Sequence, residues 1–475
     1  MQKNNRADRG LTESLKSLTE RASLLKQQGK LNAAIDVYAD AARAWPSSAV
    51  AYHNLAGSLG DARRYVEAEK QVRKAFKNGL DAPETWLVLA RALQGQLRDL
   101  EALEAFRKAV QKGPKLLQAQ LELAQLVWMH SGDATAAVEV INTDIARFPQ
   151  VSGLRYIRAR ILEFTLGPQA AYEAMREAID LWPRDLGLLI PGASMAADAG
   201  ATEEGLRYAT MAQAVAPEDS SVYGAICYAS LAAGEPERAA EMATLLHNRL
   251  PLDQHALALQ WTAWRILDDP RHKTLYDYDT LVRPYMIDTP KGWPSLEAYL
   301  GDLAAALKSV HPYETHPFGQ SVRSGSQLPN VLDFDLPPIR AFRSAIAGPI
   351  SQHLEWLGQG EDPVRSRNTG EWEFDGIWSV WLKPGGYHHD HVHPDGWLSS
   401  ACYIELPPGV EAGGQDGWIK FGEPGVVTKP RLGWEHAVKP SPGTLCLFPS
   451  YMWHGTLPFE GDSPRLTIAM DIVPA

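Results

Sequence analysis

The sequence is poor in cysteine and in long apolar runs, and each shortage argues against a class of protein. The three cysteines, Cys227, Cys402 and Cys446, are far apart and form no Cys-x-x-Cys motif. This usage argues against a disulfide framework and indicates a reducing compartment. The polar beginning "MQKNNRADRG" has no apolar core, and no run of about 18 apolar residues occurs. We therefore expect a cytoplasmic protein without a signal peptide or a membrane span.

Basic residues are fewer than acidic residues in this chain. The chain has 46 Lys and Arg against 57 Asp and Glu, a net charge of −11, whereas a non-specific nucleic-acid binder is normally basic. Common catalytic motifs are missing too, since we find no Walker loop, no Gly-x-Ser-x-Gly and no His-Glu-x-x-His. A chain of 475 residues is too long for one hydrophobic core, so two or three domains are expected.

What the first half does contain is a regular spacing of prolines. Five of its prolines are separated by 68, 69, 34 and 34 residues, which is 34 or about twice 34. A small residue recurs twelve positions before these marks or before the intervening multiples of the same spacing, as at Ala34, Ala68 and Ala102. The prolines concerned are Pro46, Pro114, Pro183, Pro217 and Pro251.

This pattern resembles the tetratricopeptide repeat, in which two antiparallel helices cross at small residues and proline ends the second helix. We predict seven repeats over roughly residues 13–251 and a closing helix at 252–267. The predicted organisation is a disordered tail at 1–12 and an all-α solenoid at 13–270. Such a solenoid offers a groove for a peptide or a helix. A spacer or a dimerisation arm is the alternative.

The 34-residue spacing does not continue after residue 270. Helical spacing persists at 293–310 and 337–357, and then short runs rich in β-branched and aromatic residues alternate with Gly and Pro turns. We expect residues 271–475 to form an antiparallel jelly roll, or double-stranded β-helix, buttressed by two helices. The predicted fold class is thus α+β, with two domains.

A histidine cluster opens the candidate site of this second domain. The stretch "YHHDHVHP" (387–394) places His391 and His393 two residues apart, and His454 follows a distant strand-like run. Two ligands separated by one residue in extended backbone point to the same side, so both can reach one ion. A third ligand from a distant strand completes one face of a non-haem Fe(II) site. Arg465, eleven residues after His454, could bind a dicarboxylate in bidentate fashion.

The segment 372–475 resembles the 2-oxoglutarate- and Fe(II)-dependent oxygenases. It is most similar to a prolyl-hydroxylase-like group with a His-x-His-Pro motif, a Ser-Gly-x-x-Tyr strand and a Phe-Pro-Ser…His ending. Here these read "HVHP" (391–394), "SSACY" (399–403) and "FPS" (448–450) followed by His454. The stretch 316–328 also resembles that group, whose members often carry tetratricopeptide repeats. The resemblance implies Fe(II) as the metal, 2-oxoglutarate as cosubstrate, O2 as oxidant and His391, His393 and His454 as ligands.

One position departs from the wider pattern. In the prolyl-hydroxylase-like sequences a glycine precedes the first ligand histidine by six residues, and Gly385 stands six before His391. The acidic ligand of that pattern then falls at position 393, where this chain has histidine. His393 is our preferred third ligand, and Asp390 and Asp395 are the alternatives that the sequence leaves open.

The same resemblance implies roles for further residues. Arg465 would pair with the distal carboxylate of 2-oxoglutarate, Thr467 would add a hydroxyl, and Tyr403 would contact the cosubstrate. If they have no role in the site, Arg465 is a surface residue of the last strand and Tyr403 is a core residue. Arg323 and Gln327 either line the mouth of the site or cap the preceding helix. The remaining histidines are expected to be hydrogen-bonded or in a loop rather than ligands: His388, His389 and His436.

We therefore expect a 2-oxoglutarate-dependent dioxygenase, a hydroxylase acting on a protein or peptide recruited by the repeats. Two alternatives stay open. One is a small-molecule oxygenase whose solenoid forms a homodimer, and the other is a non-catalytic repeat adaptor with a metal-binding jelly roll. We expect neither nucleic acid nor membrane as a partner. The sequence does not identify the substrate or the position oxidised.

Overall fold

A computed structural model describes residues 14–412 and 414–475 of the chain, so the predicted tail at 1–12 lies outside the described residues. The chain divides into two compact units. The first comprises Met1–Val127 and Thr135–Ile157, and the second comprises Trp128–Ala134 and Arg158–Ala475. The domain division at residue 270 stays a prediction. No helix in the described ranges is long and apolar enough to cross a membrane.

The first unit consists of helices arranged as consecutive antiparallel pairs. Small residues stand where partner helices meet, and Ala34, Ala68 and Ala102 are completely buried there. Side-chain caps begin some of the helices, as where the Ser48 hydroxyl accepts a hydrogen bond from the amide of Ala51. The helices are α1 (Leu15–Gln27), α2 (Leu31–Ala44), α3 (Ala49–Asp61), α4 (Tyr65–Lys77), α5 (Pro83–Gln94), α6 (Asp99–Lys112), α7 (Leu117–Ser131), α8 (Ala134–Arg147) and the beginning of α9 (Ser152–Thr165).

The second unit continues the same helical pattern. Gly205 fits closely against the preceding helix, since an added Cβ would lie 3.0 Å from the carbonyl oxygen of Ala193. The predicted repeats correspond to the pairs α1–α2 through α13–α14, and the predicted closing helix is α15, so the tetratricopeptide fold is confirmed. The helices are α10 (Pro168–Leu181), α11 (Leu186–Asp198), α12 (Thr202–Val215), α13 (Ser220–Ala233), α14 (Pro236–Arg249) and α15 (Gln254–Ile266).

Antiparallel sheets follow the helices in the second unit. The larger sheet has the strand order β1-β7-β4-β9-β3-β2 and the smaller one the order β6-β5-β8, which confirms the expected jelly-roll type of fold. The strands are β1 (Arg283–Met286), β2 (Val322–Pro329), β3 (Trp372–His388), β4 (Leu398–Glu405), β5 (Ile419–Phe421), β6 (His436–Val438), β7 (Thr444–Pro449), β8 (His454–Thr456) and β9 (Arg465–Pro474).

Two helices brace the larger sheet, as the sequence predicted. They are α18 (Leu296–Ser309) and α19 (Pro337–Leu357). The former packs on β4 and the latter contacts β1 and β7. Apolar residues spaced by three and four along α19, such as Ile339, Phe342 and Ile346, are fully buried. Three short helices complete the unit: α16 (Arg271–Leu275), α17 (Tyr278–Leu281) and α20 (Pro408–Ala412).

The register of β9 determines which side chains enter the interior between the sheets. Arg465 lies opposite Leu382 of β3, and Thr467 lies between Val380 of β3 and Tyr403 of β4. Because successive side chains of a strand alternate between faces, Arg465, Thr467 and Asp471 point to the same side. This face of β9 forms the inner wall of the candidate site.

Aromatic side chains connect the closing helix to the turn that precedes His454. The rings of Trp261 on α15 and Tyr276 are stacked with centroids 3.8 Å apart. The Tyr276 hydroxyl donates to the carbonyl oxygen of Tyr451 at 2.6 Å and accepts from the amide of Trp453 at 2.9 Å. The Trp453 indole in turn donates to the Thr262 hydroxyl at 2.9 Å. The last repeat helix therefore helps to fix the backbone immediately before His454.

Candidate metal centre

Three imidazoles meet between the two sheets, and the backbone holds two of them together. His391 follows β3 and His454 begins β8. Their main chains pair directly, with the amide of His391 2.9 Å from the carbonyl oxygen of His454 and the reverse bond at 3.0 Å. The amide of His393 donates to the carbonyl oxygen of Ser450 at 3.1 Å. Potential ligand atoms of His391, His393 and His454 all lie within 4.8 Å of one another.

Each of the three rings is oriented through its Nδ1 atom. The Nδ1 of His391 is 2.8 Å from the carbonyl oxygen of His389, and the Nδ1 of His454 is 2.8 Å from that of Met452. A carbonyl oxygen can only accept, so these Nδ1 atoms carry the proton and leave Nε2 with its lone pair. The Nε2 atoms of His391 and His393 are 3.2 Å apart. Such outer hydrogen bonds are the usual means of aiming histidine ligands at a metal.

The third ring is held by a carboxylate that the sequence analysis did not identify. The Nδ1 of His393 lies 2.5 Å from Oδ2 of Asp471, and the Ser399 hydroxyl donates to the other oxygen at 2.6 Å. Asp471 is only 4% exposed. The signal was present in the alternation of β9, because Asp471 lies six residues after Arg465 and therefore on the same face. Pairing Asp471 with His393 requires the placement of β9 in the sheet, which could not be predicted.

Burial and this carboxylate give the three rings different proton affinities. Burial lowers the pKa of His391 and of His454 well below the ordinary value, and the neighbouring histidines lower it further. Burial also acts to lower the pKa of His393, but the charge of Asp471 outweighs it and raises the pKa overall. At neutral pH the first two rings are thus neutral, which is the form that binds a metal.

Neither alternative third ligand belongs to this group of converging atoms in the described part of the chain. The carboxylate of Asp390 instead forms an ion pair with Lys420 at 2.8 Å. Asp395 lines the same cavity as the histidines. The structure therefore favours His393 over the two aspartates, and the ligand assignment enters the proposal below.

A cavity of about 430 Å³ extends from the three histidines toward β9, and we call it the metal cavity. Arg465 and Thr467 line it. The guanidinium of Arg465 is 1% exposed, and its Nη1 donates to the carbonyl oxygen of Gly417 at 2.8 Å. Its Nε is buried and has no hydrogen-bond partner among residues 14–412 and 414–475. A buried cation with an unused donor on the wall of a cavity fits an anionic group of a ligand.

Tyr403 lies next to this arginine rather than on the cavity wall. It is completely buried, and its ring centroid is 5.8 Å from the guanidinium carbon of Arg465. Its hydroxyl is also buried, and it has no hydrogen-bond partner in the part of the chain that the structure describes. Burial raises the pKa of the Tyr403 phenol above its ordinary range, so the hydroxyl stays protonated and can donate.

The remaining candidates occupy more peripheral positions. His388 lines the metal cavity, with its Nδ1 2.9 Å from the Ser321 hydroxyl. Gln327 also lines this cavity. The Arg323 guanidinium donates to the carbonyl oxygens of Gln320 and Val322 at 2.7 and 2.8 Å. One expectation is wrong: His436 is not in a loop but on β6, where its ring stacks on Tyr278 at 5.1 Å. His389 has its Nδ1 3.0 Å from the carbonyl oxygen of Asp390.

Residues 376–471 match the model of the family described as "Putative 2OG-Fe(II) oxygenase". The matched segment contains the three converging histidines, Tyr403, Arg465 and Asp471. The oxygenase resemblance read from the sequence is thereby confirmed for this segment. No curated protein matches the chain.

Three solved structures are similar to the helical part. A tetratricopeptide repeat protein from Parabacteroides merdae is 17% identical with a TM-score of 0.37, over 52% of this chain and 98% of that one. YrrB, described as a TPR protein with an unusual peptide-binding site, is 20% identical with a TM-score of 0.27, over 37% and 90%. The C-terminal part of a repeat protein from Cytophaga hutchinsonii is 15% identical with a TM-score of 0.33, over 51% and 98%. Because these TM-scores are low, the repeat fold is inferred from the helix pairs of this chain and not from the three structures.

Proposed function

We propose that the chain is an Fe(II)- and 2-oxoglutarate-dependent oxygenase, a hydroxylase, that acts on a protein or peptide bound by its repeats. The observation that carries this proposal is the convergence of His391, His393 and His454 on the wall of a cavity that the buried Arg465 also lines. The family match of the surrounding segment supports the same metal and cosubstrate. Three imidazoles alone would also suit zinc, copper or nickel.

The residues of the metal centre have separate tasks. The Nε2 atoms of the three histidines would hold Fe(II) on one face and leave other positions open. The carbonyl oxygens of His389 and Met452 fix the rings of His391 and His454. Asp471 fixes the ring of His393 and places a negative charge near a ligand set that is otherwise neutral.

The part of the metal cavity around Arg465 and Thr467 would hold the cosubstrate. Arg465 would pair with the distal carboxylate of 2-oxoglutarate through its unused Nε and the rest of its guanidinium. Thr467, on the same face of β9 and 3% exposed, would add a hydroxyl donor. Tyr403 does not line the metal cavity, so its part would be to support Arg465, whose guanidinium carbon is 5.8 Å from the tyrosine ring centroid. Burial strengthens each of these interactions because little water competes for the charges.

When bound, Fe(II) with 2-oxoglutarate and O2 supplies the oxidising chemistry, and the protein supplies orientation and a shielded site. Trp378 and Phe448 contribute apolar walls to the metal cavity. The Phe448 ring lies 4.6 Å from that of His454. Such walls limit the access of water to the reacting centre.

The cosubstrate can be tested without knowing the substrate. We expect 2-oxoglutarate to bind the Mn(II)-loaded protein in isothermal titration calorimetry, and to bind the metal-free protein much more weakly. Replacing Arg465 with leucine should abolish binding, because the distal carboxylate would lose its partner in a buried site. The exposed Arg107, replaced by leucine in the same way, is the control. Equal binding to the wild type and to Arg465→Leu would contradict the proposed cosubstrate site.

A further inference from the structure

A second and larger cavity adjoins the metal cavity within the second unit. It measures about 980 Å³, and we call it the access groove. Its repeat side is formed by Glu163 and Phe164 of α9, Asp198 at the end of α11 and Tyr228 of α13. Gly319, Gln320, Ser321 and His391 line both cavities. A ligand in the access groove would therefore lie beside one of the three converging histidines.

The barrel occupies the neighbouring repeat surface itself. On α15 the indole of Trp453 donates to Thr262, and at the end of α13 the amide of Lys429 donates to the carbonyl oxygen of Leu231 at 3.0 Å. Residues of α9, the beginning of α10, the end of α11 and Tyr228 of α13 line the access groove instead. This is the part of the repeat surface from which a bound segment could reach the metal centre.

Most charges on the barrel side of the access groove are already neutralised. Lys420 forms ion pairs with Asp390 at 2.8 Å and with Glu423 at 2.5 Å. Arg431 is 3.5 Å from Glu423. Arg323 donates only to backbone carbonyl oxygens and therefore keeps its positive charge, which acts on Glu163 across the groove. Apart from Arg323, the charges on the barrel side are paired with one another.

The repeat side is different because it holds a carboxylate without a partner. Asp198 forms no hydrogen bond and no ion pair with any of the described residues. Glu163, whose charge acts on Asp198, pairs with Arg160 at 2.5 Å and also feels the charge of Arg323. Burial and the charge of Glu163 raise the pKa of Asp198 to about 7. Burial also raises the pKa of Glu163, and the phenol of Tyr228 lies on the same wall. A cation placed here would relieve an uncompensated carboxylate.

We propose that the access groove binds a peptide segment with a lysine or arginine side chain, and that Asp198, assisted by Glu163, holds its positive charge while a neighbouring residue reaches the metal. This inference rests on the proposed function and specifies its substrate class. A peptide fits better than a free amino acid, because pockets of about 300–1,000 Å³ enclose drug-sized ligands and the access groove is at the upper end of that range.

The test uses the full chain and three fluorescent Gly-Ser peptides that differ at one central position, occupied by lysine, norleucine or glutamate. In fluorescence anisotropy we expect the lysine peptide to bind about 10-fold more tightly than the norleucine peptide, the size of one charged hydrogen bond. Asp198→Asn should remove this difference while preserving the shape of the side chain. The exposed Asp180 of α10, replaced by asparagine, is the matched control and should leave it unchanged.

Position relative to the metal is tested with Mn(II)-loaded protein. The bound lysine peptide should show enhanced nuclear relaxation near its central residue, and this enhancement should disappear in Asp198→Asn. Equal affinity for the three peptides, or no effect of Asp198→Asn, would overturn the inference. Competition by free lysine as effective as the peptide would show that the ligand is an amino acid and not a segment of chain.

A separate readout distinguishes this inference from the proposed function. The same samples can be examined without oxygen for the visible absorption band that Fe(II) and 2-oxoglutarate form together. A band without discrimination among the peptides would reject the substrate class alone. Discrimination without a band would reject the oxygenase and leave a peptide-binding groove.

Discussion

The Nδ1 atom of His393 lies 2.5 Å from a carboxylate oxygen of Asp471, so a buried negative charge stands one imidazole away from the proposed metal position. His393 occupies the place where the wider prolyl-hydroxylase-like pattern has an acidic ligand. The site still contains a carboxylate, that of Asp471, but it contacts the His393 ring instead of the proposed metal position. Metal-binding histidines that donate to a carboxylate become more basic ligands with a fixed orientation.

Removing that charge should weaken metal binding. We expect Asp471→Asn to lower the affinity for Co(II) or Fe(II) by about 10-fold and Asp471→Ala by up to about 100-fold, the range found for partners of metal-bound histidines. The asparagine keeps a carbonyl oxygen for His393, so its effect isolates the charge. Titration followed by the visible absorption of Co(II) measures both the affinity and the ligand geometry.

Asp375 is the matched control for this substitution. It lines the metal cavity, and its charge also acts to raise the pKa of His393, but it forms no hydrogen bond with that ring among the described residues. Asp375→Asn should therefore lower the Co(II) affinity much less than Asp471→Asn does and leave the absorption spectrum unchanged. If it weakened binding as much as Asp471→Asn, the effect would come from general charge in the cavity and not from the bond to His393.

The identity of the ligands can be decided by single substitutions. His391→Ala should abolish stoichiometric iron binding with folding unchanged, because one of three ligands is removed from a partly exposed position. His388→Ala should retain the metal, since that ring is bound to Ser321. Asp390→Asn and Asp395→Asn should retain it as well. Iron content by mass spectrometry and circular dichroism are the measurements, and full iron content in His391→Ala would show the ligand assignment to be wrong.

Acid should destabilise the second unit through a histidine remote from the metal centre. His353 of α19 is completely buried, its Nδ1 is 3.1 Å from the Tyr285 hydroxyl, and burial lowers its pKa to about 3. The unfolded chain takes up a proton on this residue near pH 6.5, whereas the folded protein does not. The stabilisation is thus complete above about pH 6.5 and is lost as the pH falls from there toward 3.

The corresponding experiment compares the wild type with His353→Gln in urea at several pH values. Between pH 6.5 and 4.5 the free energy of unfolding of the wild type should fall more steeply, by up to about 1.4 kcal/mol per pH unit. At pH 8 both proteins are neutral at this position, so that value gives the cost of the substitution itself. Parallel pH profiles would mean that His353 is protonated in the folded state.

The elements predicted from the sequence are those with a strong period of their own. The helix pairs repeat at a fixed spacing, and α19 begins and ends at the predicted residues 337 and 357. The strand-like runs at 397–406 and 465–473 became β4 and β9. His391, His393 and His454 could be proposed because the first two lie two residues apart in an extended segment and the third follows a strand.

What the sequence could not supply depends on pairing between distant segments. Strands β1, β6 and β8 have only three or four residues and carry no alternation long enough to recognise. The strand β2 contains Gly325, whose backbone lies so close to β3 that a Cβ would be 2.6 Å from the carbonyl oxygen of Trp381. The contact between His393 and Asp471, 78 residues apart, exists only once β9 is placed in the sheet. The access groove likewise depends on how the repeats meet the barrel within the second unit.

The most direct test of the central claim is an anaerobic titration of the metal-free protein with Fe(II) and 2-oxoglutarate, followed by visible absorption. We predict a weak charge-transfer band that requires both additions, and that is lost or much weakened in Arg465→Ala although this variant still binds iron. Iron bound without any band on addition of 2-oxoglutarate would contradict the account and leave a metal-binding repeat protein.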